Sequence, residues 1–363
     1  MRRVFLSLCL LSVVALGARA DDDLPSVNTV PCVVKCANST PAAPVRRFLP
    51  SYPQVFRENE QDGYVGLRFT VGTDGHVTNI VLEKLIGPKR FADMMTGVVE
   101  DWVYTPATID GKPVEQSLVY SESFRVVGKI PGVRQPFLAP YKDISDLIST
   151  GKLDEAGKKL KELQTHTELN FYERGTLAAL LAPLLLHQHD DLGAYDVSRD
   201  AVYIFRRVLP PQVQAGLVRN YIIASIAVGD FVEAGRWATF FRTMDGADRK
   251  DPIIDVAARE LAKIKAEPQF ATRAKIPLID EGGDRVVDLG QRDFAFYDVA
   301  GSLDSFQLIC RQGASTSKIS GNAEWHVPPD WNDCKLAVRG APGTTFSVMQ
   351  FAPGSPTAAP QSK

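Results

Sequence analysis

The most regular pattern in the chain is Tyr64-Val65-Gly66-Leu67-Arg68-Phe69-Thr70-Val71-Gly72-Thr73-Asp74-Gly75. Apolar side chains recur at every second position from Val65 to Val71, which is the period of a β-strand with one buried face. The segment 72–75 supplies a tight turn, with Asp and Gly where a hairpin requires positive φ. Residues 76–82 alternate again and predict the returning strand. The pattern therefore predicts a β-hairpin.

The residues that follow the hairpin extend it to an α+β unit. Apolar side chains between positions 90 and 102 recur at helical spacing, which predicts one helix. Thr105-Pro106-Ala107 ends that helix, and a second turn is predicted at Asp110-Gly111. Residues 117–127 alternate and close the sheet. The order strand, strand, helix, strand predicts an α+β domain over residues 45–128.

Five motifs in the same order give this domain a family resemblance. They are Pro50-Ser51-Tyr52-Pro53, Gly63-Tyr64-Val65, Phe69-Thr70-Val71-Gly72-Thr73-Asp74-Gly75-His76-Val77, Trp102-Val103-Tyr104-Thr105-Pro106-Ala107 and Gly111-Lys112-Pro113-Val114, followed by Phe124. The segment resembles the C-terminal domain of the TonB energy transducers. The resemblance implies a non-enzymatic domain that binds a short extended segment of an outer-membrane transporter along an exposed strand edge, by β-augmentation.

The resemblance also implies which residues act. The predicted partner surface consists of Phe48, Leu49, Pro50, Ser51, Tyr52, Pro53, Ser117, Val119, Ser121 and Ser123. The residues expected to build the fold are Gly63, Asp74, Gly75, Trp102, Pro106 and Gly111. Leu49 stands where the family has a glutamine, which removes a polar contact from the predicted surface.

Residues 141–267 predict a helical domain. Two similar segments are predicted to begin helices: Gly151-Lys152-Leu153-Asp154-Glu155-Ala156 and Gly229-Asp230-Phe231-Val232-Glu233-Ala234. A third segment, Gln188–Ala194, matches their pattern less closely. These starts recur about every 37 to 41 residues, which resembles the roughly 34-residue tetratricopeptide repeat but is looser. Stacked hairpins of this kind form a concave surface for extended peptides, and a plain spacer is the alternative.

Residues 272–352 predict a small all-β sandwich. The clearest strands are residues 285–289, 306–310, 335–338 and 345–348, with turns rich in Gly, Asp and Pro between them. Cys310 and Cys334 are expected to form a disulfide that closes a loop of about 25 residues, which stabilises the fold by about 3 kcal/mol. The tail 353–363 is rich in Pro, Ala and Ser and is predicted to be disordered.

The first residues of the chain predict export. A basic start, the apolar run Val4–Leu16 and the small residues Ala18 and Ala20 are typical of a cleaved signal peptide, residues 1–20. The run is shorter than the roughly 20 residues that span a bilayer. Residues 21–44 are expected to be an extended lead-in in which Cys32 and Cys36 pair. The predicted location is the periplasm, and a retained inner-membrane anchor is the alternative.

Two departures from the TonB pattern favour a free adaptor over a transducer that transmits force. The apolar run holds no histidine, whereas family transducers carry a polar pair there, and the lead-in is too short to cross the periplasm. Removal of residues 1–20 leaves 38 basic and 43 acidic residues, a balance that does not favour nucleic acid as a partner.

The sequence offers little for an active site. His187 and His189 are two residues apart, so on a helix they point away from each other, and no third metal ligand is evident. No nucleophile elbow or phosphate loop is present. Trp325 and Trp331 are expected in the core, with a ligand groove as the alternative. The chain is therefore predicted to be non-enzymatic, without metal or cofactor, and to bind envelope proteins such as TonB-dependent outer-membrane receptors or inner-membrane motor components. An envelope glycan-binding protein or enzyme that acts through residues 272–352 is the alternative.

Overall fold

The computed structural model of the chain describes residues 39–125, 132–166, 169–278, 284–310, 314–319, 323–329 and 331–353. They form an α+β region (39–125), a helical region (132–266) and a two-sheet region (269–353). The elements of the α+β region are β1 (Ser39–Thr40), β2 (Ala43–Arg46), α1 (Gln54–Glu58), β3 (Gly63–Val71), β4 (Val77–Ile86), α2 (Arg90–Val99), β5 (Val103–Thr105), β6 (Ala107–Ile109), β7 (Lys112–Val114) and β8 (Gln116–Phe124).

The main sheet of the α+β region is antiparallel, with the order β4-β3-β8. The alternating side chains of β3, among them Leu67 and Phe69, are buried in one core with Phe91 and Met95 of α2. The predicted hairpin and last strand are confirmed. The helix ends at Val99, three residues earlier than predicted. Trp102 therefore lies in the connection to β5, where its ring is fully buried.

The end of the predicted lead-in pairs with this region. β2 pairs antiparallel with β5, and β1 pairs with β6, which continues into the β6-β7 hairpin. All four residues of β2 are exposed, so their pattern carries no sign of a strand. Strand pairing thus holds Ser39–Thr40 and Ala43–Arg46 to residues far along the chain, at positions 103–109.

Seven α-helices lie in the described part of the helical region. They are α3 (Gln135–Ser149), α4 (Leu153–Gln164), α5 (Phe171–His187), α6 (Asp191–Asp200), α7 (Pro211–Val228), α8 (Phe231–Phe241) and α9 (Pro252–Ala266). A π-helical turn (Ala201–Phe205) and a 3-10 turn (Arg206–Val208) continue α6. Successive helices pack against each other around one large core.

Local signals explain where these helices begin. The side chains of Asp190 and Asp230 accept hydrogen bonds from backbone N–H groups two or three residues into α6 and α8, as N-caps do. Gly229 ends α7 with φ of 81°, a conformation that favours glycine. Prolines occupy the first positions of α7 and α9. The helix starts predicted from these residues are confirmed, whereas the tetratricopeptide interpretation stays a prediction.

Eight strands form two four-stranded antiparallel sheets at the end of the chain. They are β9 (Gln269–Lys275), β10 (Asp284–Asp288), β11 (Asp293–Ala300), β12 (Leu303–Ile309), β13 (Ala314–Lys318), β14 (Glu324–His326), β15 (Lys335–Gly340) and β16 (Thr345–Phe351). One sheet has the order β10-β15-β12-β13 and the other β14-β11-β16-β9. Phe306 and Leu336 of the first sheet share a core with Phe294 and Phe346 of the second. The sandwich interpretation stays a prediction.

The predicted disulfide between Cys310 and Cys334 is present at the edge of this core. It joins the residue after β12 to the residue before β15, two strands that are neighbours in one sheet. The bond therefore fixes the long connection that contains β13 and β14.

The face of the main sheet opposite α2 is covered by the other two regions. Arg68 of β3 forms ion pairs with Glu83 at 2.8 Å and with Asp284 of β10 at 2.9 Å. Lys84 of β4 pairs with Asp200 of α6 at 2.7 Å. Tyr64 packs against the core of the helical region. The three regions are therefore in contact around this sheet.

Several predictions fall outside the described residues. These are the signal peptide 1–20, the Cys32–Cys36 pair with the lead-in up to residue 38, and the tail from residue 354. Within the described ranges, no helix combines the length and the apolar character that crossing a bilayer requires.

Candidate peptide-binding edge

The outer edge of β8 is the candidate site. All nine residues of β8 pair with β3 without a shift in register. Among the residues that the structure describes, no strand pairs with β8 on its other side. Alternate N–H and C=O groups of such an edge strand point away from the sheet, where another chain is able to pair with them. This edge has the backbone geometry that β-augmentation requires.

The opposite edge of the same sheet, β4, is less regular. Its register with β3 shifts at two places, and Asn79 adopts φ of 51°. Its Lys84 is held by the ion pair with Asp200. Bulges and charged residues are the features by which edge strands avoid pairing with other chains. The sheet therefore offers one regular edge, at β8.

The side chains of β8 alternate between the two faces of the sheet. Leu118 and Tyr120 are opposite Phe69 and Leu67 in the register, so they share the face that packs on α2. Ser117, Val119, Ser121 and Ser123 lie on the other face; Ser123 is exposed and the first three are half-buried.

Residues 42–53, the N-terminal arm, run alongside β8 on the α2 face. The backbone N–H of Ala42 donates to Oε1 of Gln116 at 2.7 Å, at the start of β8. The guanidinium carbon of Arg47 lies 5.1 Å from the ring centre of Tyr120, in the middle of the strand. Trp102 holds the arm in place, because its Nε1 donates a hydrogen bond to the carbonyl oxygen of Phe48 at 2.8 Å. The arm thus flanks the edge through side chains and occupies none of its backbone groups in the described hydrogen bonds.

The N-terminal arm and α1 expose four large apolar side chains. The exposed fractions are 66% for Val45, 43% for Phe48, 51% for Leu49 and 51% for Val55. Soluble proteins rarely cluster such residues on the surface without a partner to cover them. The arm and α1 therefore expose apolar side chains, of which Phe48 and Leu49 belong to the arm that flanks β8.

Two tyrosines fix the arm and the strand in place. Burial raises the pKa of Tyr52 to about 12, with nearby Asp62 adding to the effect. Its hydroxyl donates to the carbonyl oxygen of Gln61 at 2.6 Å. Burial and the neighbouring carboxylate of Glu122 also raise the pKa of Tyr120, whose hydroxyl donates to Glu122 at 2.5 Å. Both hydroxyls therefore stay protonated and act as hydrogen-bond donors at neutral pH.

The residues that were predicted to build the fold have the following positions in the structure. A Cβ on Gly63 would lie 2.3 Å from the ring of Phe91, and a Cβ on Gly75 would lie 2.1 Å from the carbonyl oxygen of Tyr104. Asp74 accepts from the backbone N–H of His76 at 3.0 Å in the hairpin turn. Pro106 lies between β5 and β6, and Gly111, with φ of 75°, lies in the turn between β6 and β7.

The predicted partner surface is divided by the sheet. Residues 48–53 flank the edge on the α2 face, whereas the four predicted β8 side chains are on the opposite face. Sequence reasoning missed Arg47 and Tyr120, which connect the arm to the edge. The alternation of β8 places Tyr120 on the core face, but the position of Arg47 above it depends on the tertiary fold.

The structure also gives the positions of the histidines and tryptophans that the sequence analysis considered as ligand residues. His187 is the last residue of α5, and His189 lies in the following turn with φ of 60°. Trp325 stacks on Phe294 with ring centres 5.8 Å apart, and Trp331 packs against the same core.

Comparison with known proteins places the candidate edge in a family context. Residues 49–126 match the family model described as the Gram-negative bacterial TonB protein C-terminal. One similar solved structure is the Pseudomonas aeruginosa TonB C-terminal domain, with 21% identity, a TM-score of 0.23, and coverage of 25% of this chain and 91% of that one. Another is the TonB2 protein of Vibrio anguillarum, with 22% identity, a TM-score of 0.22, and coverage of 32% and 96%. No curated protein matches the chain. Residues 49–126 are thus similar to the C-terminal domain of TonB proteins, as the family model matches them.

Proposed function

We propose that this chain is an envelope adaptor that binds an extended segment of another envelope protein along the outer edge of β8. The segment adds a strand to the β4-β3-β8 sheet, and its backbone supplies the hydrogen bonds. Apolar side chains on its α2-facing side contact Phe48 and Leu49 of the N-terminal arm. The binding surface thus combines the arm, residues 48–53, with Ser117, Val119, Ser121 and Ser123 on the other face of the strand.

The observation that carries the proposal is the open, regular edge of β8 next to exposed apolar residues. The ladder of β8 with β3 has no shift, so an added strand meets outward-facing donors and acceptors that repeat regularly at every second residue. Backbone pairing supplies affinity in this mode of recognition, and side-chain contacts on alternate faces supply specificity.

The family match supports the choice of partner. Residues 49–126 match a family of TonB C-terminal domains, and the resemblance implies partners in TonB-dependent transport. We therefore propose outer-membrane TonB-dependent receptors as the first partners to test, with inner-membrane motor components as a second group. In this proposal the chain is periplasmic and has no catalytic role.

Hydrogen exchange is the measurement that tests the proposal. The probe is a synthetic peptide copied from the extended N-terminal segment of an outer-membrane transporter of the same cell. Binding is expected to slow amide exchange along β8 and to leave β4 unchanged, because only the outer edge of β8 receives new hydrogen bonds. Protection confined to the helical or two-sheet region would contradict the proposal, as would failure of every such peptide to bind.

A lysine on the edge provides the matched variant. Ser123→Lys places a charge on an exposed position of β8 and is expected to weaken peptide binding by about tenfold, since edge lysines oppose strand addition. Ser149→Lys changes an exposed serine at the end of α3 and is the control. Equal affinities for the two variants would show that the peptide binds elsewhere.

We also propose the division into domains 45–128, 141–267 and 272–352. Its support is that the described residues form three hydrophobic clusters that correspond closely to these ranges. We propose that the helical domain is a tetratricopeptide-like scaffold and that the last domain is a β-sandwich. Both would hold the first domain in a fixed orientation through the contacts of Arg68 and Lys84.

A further inference from the structure

The helical region contains a cavity that the proposed peptide edge does not use. It has a volume of about 500 Å³ and lies between the start of α7 and the end of α8. Arg206, Pro211, Phe240, Met244 and Asp245 line it. A volume of this size is within the range of small-molecule sites, roughly 300–1,000 Å³.

The cavity contains a buried cation, Arg206. This residue is 7% exposed, and its Nε has no hydrogen-bond partner in the described part of the chain. Among the described residues, no carboxylate forms an ion pair with it. Burial lowers the pKa of Arg206, and the charge of neighbouring Arg207 lowers it further. Buried charges in proteins are normally paired, so an unpaired one indicates a missing anion.

Aromatic rings hold the guanidinium in place. Its carbon lies 5.0 Å from the ring centre of Phe240 and 5.9 Å from that of Trp237. Stacking of this kind fixes the plane of the guanidinium and offsets only part of its lost hydration. The π-helical turn Ala201–Phe205 directly precedes Arg206, and such turns are frequent at functional sites.

The first turn of α7 adds further donors on the same side. α7 has 18 residues, and no side chain caps its N-terminus. Its N-cap is Pro210, and Pro211 follows at the first helical position. The two prolines have no N–H, so the donors of the first turn are the backbone N–H groups of Gln212 and Val213, and the helix dipole favours an anion there. Pro211 lines the same cavity as Arg206.

We propose that Arg206 and the first turn of α7 form a binding site for a carboxylate that is attached to an apolar group. The planar fork of arginine matches a carboxylate. The ring of Phe240 and the side chain of Met244 provide an apolar wall for the attached group. Such a ligand is either the C-terminus of a polypeptide that ends in an apolar residue or a free aromatic or aliphatic acid.

Asp245 limits where the anion binds. It is exposed, lines the cavity and forms no ion pair with Arg206 among the described contacts. A carboxylate beside Asp245 would be repelled, so the anion is expected at the Arg206 side of the cavity. The apolar group of the ligand is then expected to lie along Phe240 and Met244.

Calorimetric titration of the full chain tests the site. The probes are N-acetyl-L-phenylalanine, which represents a chain end, its amide, which lacks the negative charge, and 3-phenylpropanoate, which represents a free acid. The two acids are expected to bind at least about tenfold more tightly than the amide, because only they pair with the guanidinium. The stronger of the two acids identifies the source of the ligand.

Variants assign the binding to Arg206. Arg206→Met keeps the length of the side chain and is expected to weaken acid binding by about tenfold or more. Arg242→Met removes an exposed arginine that does not line the cavity, and its binding is expected to stay within about twofold of the native value. Asp245→Asn is expected to tighten binding, because it removes a repelling charge.

Four results would overturn the proposal. They are equal affinity for the acid and the amide, unchanged binding by Arg206→Met, preferential binding of inorganic phosphate, and no binding of either acid by the native chain up to roughly 10 mM. Thermal unfolding separates binding from a structural role. If Arg206 is an unpaired binding residue, Arg206→Met is expected not to lower Tm. If Arg206 has a structural role, the same substitution lowers Tm.

Discussion

Two buried charged residues that lie near opposite ends of α8 have opposite surroundings. Glu233, near the start of α8, is 4% exposed, and both of its carboxylate oxygens accept hydrogen bonds. Arg206, which packs near the end of α8, is 7% exposed and has aromatic rings in place of an anion. Removing a buried charge from a full set of partners destabilises the fold, whereas a buried charge without partners is available to a ligand.

The surroundings of Glu233 are a continuous polar network. Its Oε1 accepts from the hydroxyl of Tyr221 at 3.1 Å and from Nε1 of Trp237 at 2.9 Å, and Tyr203 donates to it as well. Arg236 pairs with Glu233 and reaches Asp288 of β10 at 3.3 Å. The network therefore links three helical segments to the two-sheet region.

The largest expected effect follows from removing the centre of this network. Glu233→Ala leaves two tyrosine hydroxyls and an indole N–H without an acceptor and is expected to lower the free energy of unfolding by about 3 to 5 kcal/mol. Urea denaturation measures the change. Glu155→Ala replaces an exposed glutamate of α4 and is expected to stay within about 0.5 kcal/mol of the native value. Equal losses in the two variants would remove the distinction between paired and unpaired charges.

A smaller effect concerns the pH dependence of stability. Burial raises the pKa of Asp230 to about 7, and the charges of Asp288 and Glu233 add to the shift. An acid whose pKa is higher in the folded chain binds more protons there than in the unfolded chain. Its contribution to stability is therefore full below the unfolded pKa and falls as pH rises to about 7, by no more than about 1.4 kcal/mol per pH unit.

Asp230→Asn tests this contribution. Asparagine keeps an oxygen for capping α8, and its NH2 group replaces the oxygen that accepts from the hydroxyl of Tyr195 at 2.8 Å, so that the hydroxyl becomes the acceptor. We expect the difference in unfolding free energy between the native chain and the variant to fall between about pH 4 and about pH 7 and to be constant above that range. A difference that rises with pH over this range would show that Asp230 is ionised in the folded chain.

The smallest expected effect is a gain. Arg206→Met exchanges an unpaired buried cation for an apolar side chain of similar length and is expected to raise the free energy of unfolding by about 1 kcal/mol. Arg242→Met, at an exposed position, serves as the reference. A loss of stability specific to the first variant would place Arg206 in the same class as Glu233.

Local patterns in the sequence predicted the elements whose signals are themselves local. The alternation from Val65 to Val71 predicted β3, and Gly229-Asp230 predicted the boundary between α7 and α8. Both depend on a period or a cap that spans a few residues. The disulfide between Cys310 and Cys334 followed from the even number of cysteines, four, after the predicted signal peptide and from their spacing.

Features that depend on distant partners were not predicted. β2 is exposed along its whole length and is a strand only because β5 pairs with it. The covering of the sheet by other regions depends on ion pairs such as Arg68–Asp284, which join residues 216 positions apart. The lack of an ion-pair partner for Arg206 among the described residues likewise has no sequence signal, because it depends on which side chains the fold brings near the guanidinium.

The covered face of the main sheet has a consequence for the proposed binding of a guest strand. Because Arg68 and Lys84 hold the helical and two-sheet regions against that face, a guest has no room to stack on the sheet and can only lengthen it. β4 ends the sheet irregularly, which leaves one end for lengthening. Under the proposed function, the described β4-β3-β8 sheet of each molecule therefore accepts a single guest strand, and an assembly with several partners requires several copies of this chain.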